Sequence, residues 1–205
     1  MPASLYGPAY QSLFGAEINF AADTIKAMLV TSAYTPDPLT HRYKSSVTNE
    51  VAGTGYVAGG ATLASKTIAL TVANSWTASR ANSTAYALGD VVRPVTGNGY
   101  VYQAVVAGTS GASIPAYPTV TGQSVVDGGV TWVCKGRAVL AIDSADPSWP
   151  NSTIAARTVV IYKSTGTDAT SPLISYDSAA ADVSSTNGAW TYQMASFGFA
   201  LFFLD

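Results

Sequence analysis

Two segments carry the clearest strand pattern of the sequence, Thr158-Val159-Val160-Ile161-Tyr162 and, after an interval containing Gly166, Pro172-Leu173-Ile174-Ser175-Tyr176. Both segments are short and rich in β-branched and aromatic residues, so each predicts a strand. Similar short segments, closed by Gly, Pro, Asn or Asp, recur outward from this pair. They lie at residues 24–30, 67–72, 138–142 and 190–204. Strands at such spacing are typical of an all-β sandwich or barrel, and we expect that fold class.

The composition agrees with a β-rich, turn-rich protein. Of 205 residues, 48% are apolar and only 11% are charged, against about 25% charged in ordinary soluble domains. The chain has 22 Ser and 23 Thr but two Glu and five Lys, so the residues that favour surface helices are scarce. A net charge of −2 offers no basic surface for nucleic acid, and we expect no nucleic-acid partner.

The middle of the chain differs from its flanks in the pattern of its sequence. Residues 77–137 contain three short predicted strands, at 90–93, 100–106 and 129–134, separated by long glycine-rich turns. The length suits one domain with a small insertion. We therefore predict a discontinuous β-sandwich body at residues 1–76 and 138–205, and an inserted β module at residues 77–137.

Residues suited to catalysis are few. His41 is the single histidine and lies in a charged loop, while Glu17 and Glu50 are isolated. Cys134, the single cysteine, lies in an apolar strand and is predicted to be a small buried hydrophobe. Because a base, a nucleophile and an orienting group are not found together, we expect no enzyme activity and no cofactor.

Acidic pairs raise the alternative of a calcium site. Asp143 and Asp146 are three residues apart, and Asp177 and Asp182 form a second pair. Calcium takes six to eight oxygen ligands, so two carboxylates are a weak signal, and a turn next to Pro147 explains the first pair. We expect no metal.

Neither a signal peptide nor a membrane-spanning segment is predicted. The chain does not open with a basic segment and an apolar core, and uncharged apolar runs stay short of 18 residues. The expectation is a soluble chain made in the cytoplasm, without a membrane partner.

Three aromatic residues of the middle segment support two interpretations. Tyr100 and Tyr102 share one face of a strand, and Trp132 lies on a later strand. Flat rings in a row can stack on sugars, which predicts a glycan-binding platform. A module of this size also needs buried rings for its own core, and that alternative stays open.

An apolar run near the end of the sequence predicts an interface. Read as a strand, it places Phe197, Phe199, Leu201 and Phe203 on one face and Phe202 with Leu204 on the other. Both faces then require burial, so we expect a homo-oligomer, with a trimer as the first hypothesis. Residues 13–20 are interpreted as either a short strand or an arm that docks onto a neighbouring subunit.

Three blocks of sequence carry a resemblance to known proteins. They span Ile18–Pro36, Val47–Gly60 and Trp149–Ile174, and the second contains Asn49-Glu50 and four glycines at fixed spacing. Together these blocks resemble a group of virion structural proteins of tailed bacteriophages. The middle segment departs from that pattern, since such proteins usually pass directly from one strand to the next there.

The resemblance implies a function in the virion. One expectation is a capsid decoration or cement protein that stabilises the shell by binding the major capsid protein or other virion proteins. The alternative is a tail or fibre-associated protein whose inserted module binds host-surface carbohydrate. The inserted segment is similar to small β modules that decorate phage particles and, more distantly, to chitinase-type carbohydrate-binding modules.

Overall fold

The computed structural model describes residues 3–195 and 197–205, and the chain divides into two compact units. Among the described residues, the middle unit comprises 68–142 and 201–205, and the flanking unit comprises 3–67, 143–195 and 197–200. The predicted boundaries lay at 76/77 and 137/138, so β-strands on either side of the predicted insertion belong to the middle unit. Residues 201–205 belong to it as well, although they were predicted to be part of the body.

Within the described residues the regular structure is mostly β, which confirms the all-β fold class. The strands are β1 (Ser4–Leu5), β2 (Ile25–Val30), β3 (Ala61–Thr62), β4 (Thr67–Val72), β5 (Ala85–Tyr86), β6 (Val91–Val92), β7 (Val101–Val106), β8 (Gly108–Thr109), β9 (Ser124–Asp127), β10 (Val130–Gly136), β11 (Ala138–Asp143), β12 (Ser148–Lys163), β13 (Leu173–Thr191) and β14 (Ala200–Leu204). The α-helix is α1 (Gly7–Phe14), and single 3-10 turns lie at Lys44–Ser46, Ala73–Ser75 and Asp168–Thr170.

The flanking unit is built on a long antiparallel hairpin. β12 and β13 pair from Ser148↔Thr191 to Tyr162↔Leu173, so the two segments with the clearest strand pattern are one end of a much longer ladder. The sheet has the order β1-β13-β12-β2-β3. Within β12, only residues 158–163 pair with β2. Apolar residues follow one another in this part of β12 because both faces of the sheet are buried.

The core of the flanking unit lies between this sheet and α1. Its buried cluster consists of Tyr6, Ala9, Met28, Val30, Tyr34, Val160, Tyr162 and Leu173. Helix α1 contains a proline in its first turn, where the missing N–H costs no hydrogen bond. Our expectation of a strand or a docking arm at residues 13–20 is corrected here. Ile18 and Phe20 are buried in the chain itself.

The middle unit contains a four-stranded sheet of order β6-β7-β10-β9 and a three-stranded sheet of order β14-β11-β4. β10 alternates between buried and half-buried residues along its whole length, as expected for a strand with one face on the core. The sequence predicted three of the four strands in the first sheet, and β9 is the addition there; the two-stranded pair β5-β8 was not predicted either. β9 forms a tight hairpin with β10 through Gly128-Gly129, with Asp127 paired to Val130.

β4 is a strand, as its alternating pattern predicts, but it is not half-buried. The side chains of Ile68, Leu70 and Val72 are 50%, 62% and 56% exposed, and they lie on the same side of the strand. β4 is also an edge of its sheet. The middle unit therefore presents an apolar row at an open sheet edge.

Among the described residues, the structure contains no helix with the length and apolarity needed to cross a bilayer.

Candidate functional site

The predicted aromatic platform is largely buried. Tyr102 and Trp132 are both 0% exposed, and together with Cys134 they belong to the core cluster of the middle unit. The Trp132 ring meets Tyr86 edge to face at 4.9 Å, and the Tyr102 ring lies 4.4 Å from that of Tyr117. Buried rings present no face to a sugar, so Tyr102 and Trp132 are core residues and the platform interpretation is corrected for both.

Tyr100 is the half-buried member of the predicted trio. Its hydroxyl accepts a hydrogen bond from the Arg137 guanidinium at 2.9 Å, and the same guanidinium lies 5.0 Å from the ring centre. Arg137 therefore already occupies one face of the Tyr100 ring. What is left for a ligand is the remaining edge of one ring.

A buried ion pair organises the same core, and sequence reasoning missed it. Arg80 is 1% exposed and Asp127 is 3% exposed. The guanidinium donates to both carboxylate oxygens of Asp127, at 2.9 and 2.7 Å. Asp127 also accepts from the Trp132 indole N–H at 2.9 Å and from the Gly111 backbone N–H at 2.9 Å. Residues 77–137 contain only six charged side chains, three Arg, two Asp and one Lys, and this scarcity of charge was the available signal.

The electrostatics of this pair follow from its partners. Burial alone would raise the pKa of the Asp127 carboxyl, yet the Arg80 guanidinium and the two N–H donors together hold that pKa below its usual value. The same hydrogen bonds to Asp127 raise the pKa of Arg80, which burial opposes. The pair is therefore ionised and fully hydrogen-bonded, which makes it a structural element rather than a reactive group.

The apolar run after residue 196 divides between the two units. Phe199 is 0% exposed, and its ring centre lies 5.7 Å from that of Phe20 inside the flanking unit. Its assignment as an interface residue is therefore corrected. Leu201, Phe202 and Phe203 are half-buried on β14, and the Lys135 ammonium lies 4.8 Å from the Phe203 ring centre. Phe197 is also half-buried.

The isolated polar residues singled out by the sequence have structural partners. His41 lies in its loop with Nδ1 at 3.0 Å from the Tyr34 hydroxyl and 3.3 Å from the Asp37 backbone nitrogen. Asp182 pairs with Arg157 at 2.7 Å, and Asp177 accepts from the Tyr192 hydroxyl at 2.9 Å. Across residues 3–195 and 197–205, the structure has no group of three His, Cys, Asp or Glu side chains positioned to hold a metal ion.

A polar cleft in the flanking unit was not predicted. Its volume is about 230 Å³. It lies where β2 begins and β12 ends, and its lining includes Lys26, Lys44, Glu50, Gly59, Tyr162 and Asp168. We call this the polar cleft. The sequence had singled out Glu50 as an isolated acid, Tyr162 as part of a predicted strand, and Gly59 as one of the glycines of the second block.

The walls of the polar cleft are held by hydrogen bonds within the protein. Glu50 Oε1 accepts from the Tyr56 hydroxyl at 2.8 Å and from the Gly59 backbone N–H at 2.5 Å. The Tyr162 hydroxyl donates to the Gly59 carbonyl at 2.8 Å, and burial raises the pKa of Tyr162 to about 12. The N–H and the carbonyl of Gly59 are thus both fixed by hydrogen bonds. The side chains of Glu50 and Tyr162 that hold them need no rearrangement to meet a ligand.

Comparison with known proteins adds no relative to this description. No family model, curated protein or solved structure matches the chain.

Proposed function

We propose that this chain is a structural protein of a bacteriophage virion, and that it acts as a capsid decoration or cement protein. In this proposal the flanking unit binds the major capsid protein and stabilises the shell, while the middle unit is displayed outward. The proposal rests on the resemblance of three sequence blocks and on the way those blocks fit together.

The observation that carries the proposal is the mutual packing of the three blocks within the flanking unit. The first block contains β2, which pairs with β12 of the third block along Thr158↔Val30 to Lys163↔Ile25. The second block lies against both. The Leu29 backbone N–H donates to the Tyr56 hydroxyl at 3.0 Å, and the Tyr56 and Trp149 rings stack with centres 6.0 Å apart.

The glycines of the second block explain why its spacing is so particular. A Cβ on Gly60 would lie 1.9 Å from the Ala27 carbonyl oxygen in the first block. A Cβ on Gly53 would lie 2.5 Å from the Thr153 carbonyl oxygen in the third. These close approaches require glycine. The residues that carry the resemblance are thus the ones that join the blocks, which supports reading them as one shared structural body.

The low charge of the chain and the exposed apolar row on β4 support function by assembly rather than by turnover. Open edges with apolar side chains are where other chains add to a sheet. A homo-oligomer, with a trimer as the first hypothesis, remains part of the proposal. Sedimentation velocity at micromolar concentration tests it, and a single-chain mass would contradict it.

The number of copies per particle tests the functional proposal itself. Purified virions of the phage that encodes this chain are analysed by quantitative mass spectrometry against the major capsid protein. A copy number of the same order as the capsid protein, with antibody labelling over the shell, is the expected result. A copy number far below it, with labelling at the tail, would favour the tail-associated alternative instead. Absence from washed particles would contradict both.

A matched pair of glycine variants tests whether the packed blocks carry virion binding. Gly60→Ala forces a clash with β2, whereas Gly166→Ala has a similar positive φ but nothing within 4 Å of the added Cβ. We expect Gly166→Ala to be incorporated into particles at the wild-type level and Gly60→Ala to be depleted. Equal incorporation of two folded variants would show that virion binding does not depend on this packing.

A further inference from the structure

We propose that the polar cleft is a binding site for a carboxylated monosaccharide, with the sugar carboxylate on Lys26 and sugar hydroxyls on Glu50 and Ser164. This site is independent of the virion assignment, because it rests only on groups inside the flanking unit. A uronic acid is the simplest ligand of this class.

The first argument is the position of Lys26. It stands directly opposite Tyr162 in the β2–β12 ladder, so both side chains project from the same face of the sheet. Both line the polar cleft. Among the described residues the Lys26 ammonium has no hydrogen bond and no ion pair, although it is half-buried. The other cleft lysine, Lys44, is already bound to both oxygens of Asp168 at 2.9 Å.

The second argument is the state of Glu50. Its Oε1 atom is held by Tyr56 and Gly59, while its Oε2 atom has no partner within the described residues. Lys26 and Glu50 thus carry opposite charges in one cleft without forming an ion pair with each other. A ligand that satisfies both must offer an acceptor to the ammonium and a donor to the carboxylate. A hydroxyl-bearing carboxylate has both.

The third argument is the balance of charge. The cleft residues Lys26, Lys44, Glu50 and Asp168 sum to zero, which disfavours a ligand with several negative charges such as a phosphate ester. Once the Lys44–Asp168 pair is neutralised, Lys26 remains as the one cation for a ligand carboxylate, and Glu50 remains as the one anion for hydroxyl donors. The half-buried Ser164 side chain adds a neutral group that suits a hydroxyl.

The fourth argument is size. At about 230 Å³ the cleft is smaller than the roughly 300–1,000 Å³ of sites for drug-sized ligands, and a single sugar ring is the appropriate scale. Gly59 keeps that space open. A Cβ there would lie 3.3 Å from the Tyr162 hydroxyl and 3.7 Å from Lys26 Nζ, in the space beside the ammonium that the ligand must reach.

The test is a titration of the full chain with sodium glucuronate at constant ionic strength, followed by calorimetry and by amide chemical shifts. We expect saturable binding with a Kd of about 1 mM or tighter. Shift changes should centre on Lys26, Gly59 and Ser171. Glucose, which lacks the carboxylate, should bind at least ten-fold more weakly. No saturable binding in the millimolar range, or equal binding of glucose, would overturn the proposal.

A matched pair of lysine variants assigns the carboxylate contact. Lys26→Met removes the free ammonium but keeps the aliphatic length, and should weaken glucuronate binding at least ten-fold. Lys135→Met makes the same change in the middle unit and should leave it unchanged. An unchanged Kd in Lys26→Met would overturn the assignment. If that variant does not fold, wild-type shift changes located away from the cleft would overturn it equally.

Two further ligands define the class and the source. Glycine offers a carboxylate and an ammonium, and tighter binding of glycine than of glucuronate would replace the sugar acid with an amino acid and so overturn the proposal. An oligomer of galacturonate separates the two sources of the same chemistry. Tighter binding than the monomer identifies a polysaccharide, whereas equal binding identifies the free sugar acid, and either result supports the site.

Discussion

Arg80 and Asp127 place two of the few charged side chains of this protein in the interior of the middle unit. The carboxylate receives four hydrogen bonds, two from Arg80 and one each from Trp132 and Gly111. The Arg80 guanidinium also reaches the carbonyls of Gly111 and Ser113 at 2.6 and 2.9 Å. One ion pair therefore joins the β9–β10 hairpin to two loops distant in sequence.

At this scale we predict that Arg80→Ala destabilises the middle unit by about 3–5 kcal/mol, because it leaves the Asp127 carboxylate buried without its counter-ion. Arg157→Ala is the control. Its pair with Asp182 is partly exposed, and the loss should be about 0–1 kcal/mol. Urea unfolding is followed by hydrogen exchange, in peptides from residues 80–137 for Arg80→Ala and in peptides from residues 148–191 for Arg157→Ala. Equal effects would contradict the prediction.

The same carboxylate predicts an acid-sensitive middle unit. The pKa of Asp127 is lower in the folded chain than in the unfolded chain, where it is about 3.9. Its contribution is therefore complete above about pH 5 and declines as the pH falls through the folded-state pKa. The hydrogen-exchange protection factors of residues 80–137, corrected for the intrinsic exchange rate at each pH, should fall below about pH 4. Asp127→Asn should lose this part of the pH dependence, and an unchanged profile in that variant would contradict the assignment.

Among the strands, the position of β14 is constrained by Gly136. This residue ends β10 with a φ of +135°, and a Cβ there would lie 2.3 Å from the Leu204 carbonyl oxygen. The same carbonyl accepts from the Arg137 backbone N–H at 2.6 Å. The position of β14 thus depends on the absence of a side chain at one residue of another strand.

We predict that Gly136→Ala weakens the protection of β14 against hydrogen exchange and destabilises the middle unit. Gly99→Ala is the matched control, since Gly99 also has a positive φ but nothing lies within 4 Å of the added Cβ. The control should cost only about 1–2 kcal/mol for the left-handed backbone. Gly136→Ala should cost more, because β14 must also move. Equal free energies of unfolding would show that the contact is unimportant.

Prediction from sequence succeeded for elements whose pattern is local and failed for those fixed by distant partners. The strand segments at residues 67–72, 101–106 and 158–162 were readable from their alternation or their β-branched runs. The exposure of β4 was not, because alternation marks two faces without saying that either is covered. The polar cleft was not either, since Lys26 and Glu50 gain meaning only when β2, β12 and two loops meet.

In the molecule as a whole, the chain forms two units, and each unit is built from stretches that are separated in the sequence. The flanking unit is interrupted after residue 67 and resumes at residue 143, and the middle unit begins and ends at these positions. The Ala145 backbone N–H donates to the Ala64 carbonyl at 2.9 Å, so the two ends of the flanking unit lie close together. Insertions are tolerated where the ends of the host segments are neighbours.

We therefore predict that the flanking unit folds when residues 68–142 are replaced by a short Asn-Gly linker and residues 201–205 are removed. The product should unfold in one cooperative transition and keep the glucuronate affinity of the full chain. Circular dichroism during heating, together with the glucuronate titration, measures both. The control removes residues 77–137 alone, which leaves the strands β4, β11 and β14 without the rest of their unit and should aggregate. An insoluble product from the first variant would contradict the independence of the flanking unit.

The membership of residues 201–205 in the middle unit has a consequence for biosynthesis. A ribosome adds about 5–20 residues per second, so β14 emerges roughly 3–11 seconds after β11, the strand beside which it lies. During that interval the nascent sheet exposes the edge that β14 later covers, and the whole remainder of the flanking unit is translated meanwhile. Newly made chains thus pass through a stage in which the middle unit still lacks β14 while the rest of the flanking unit is being translated. At that stage the edge of β11 is open to pairing with another chain.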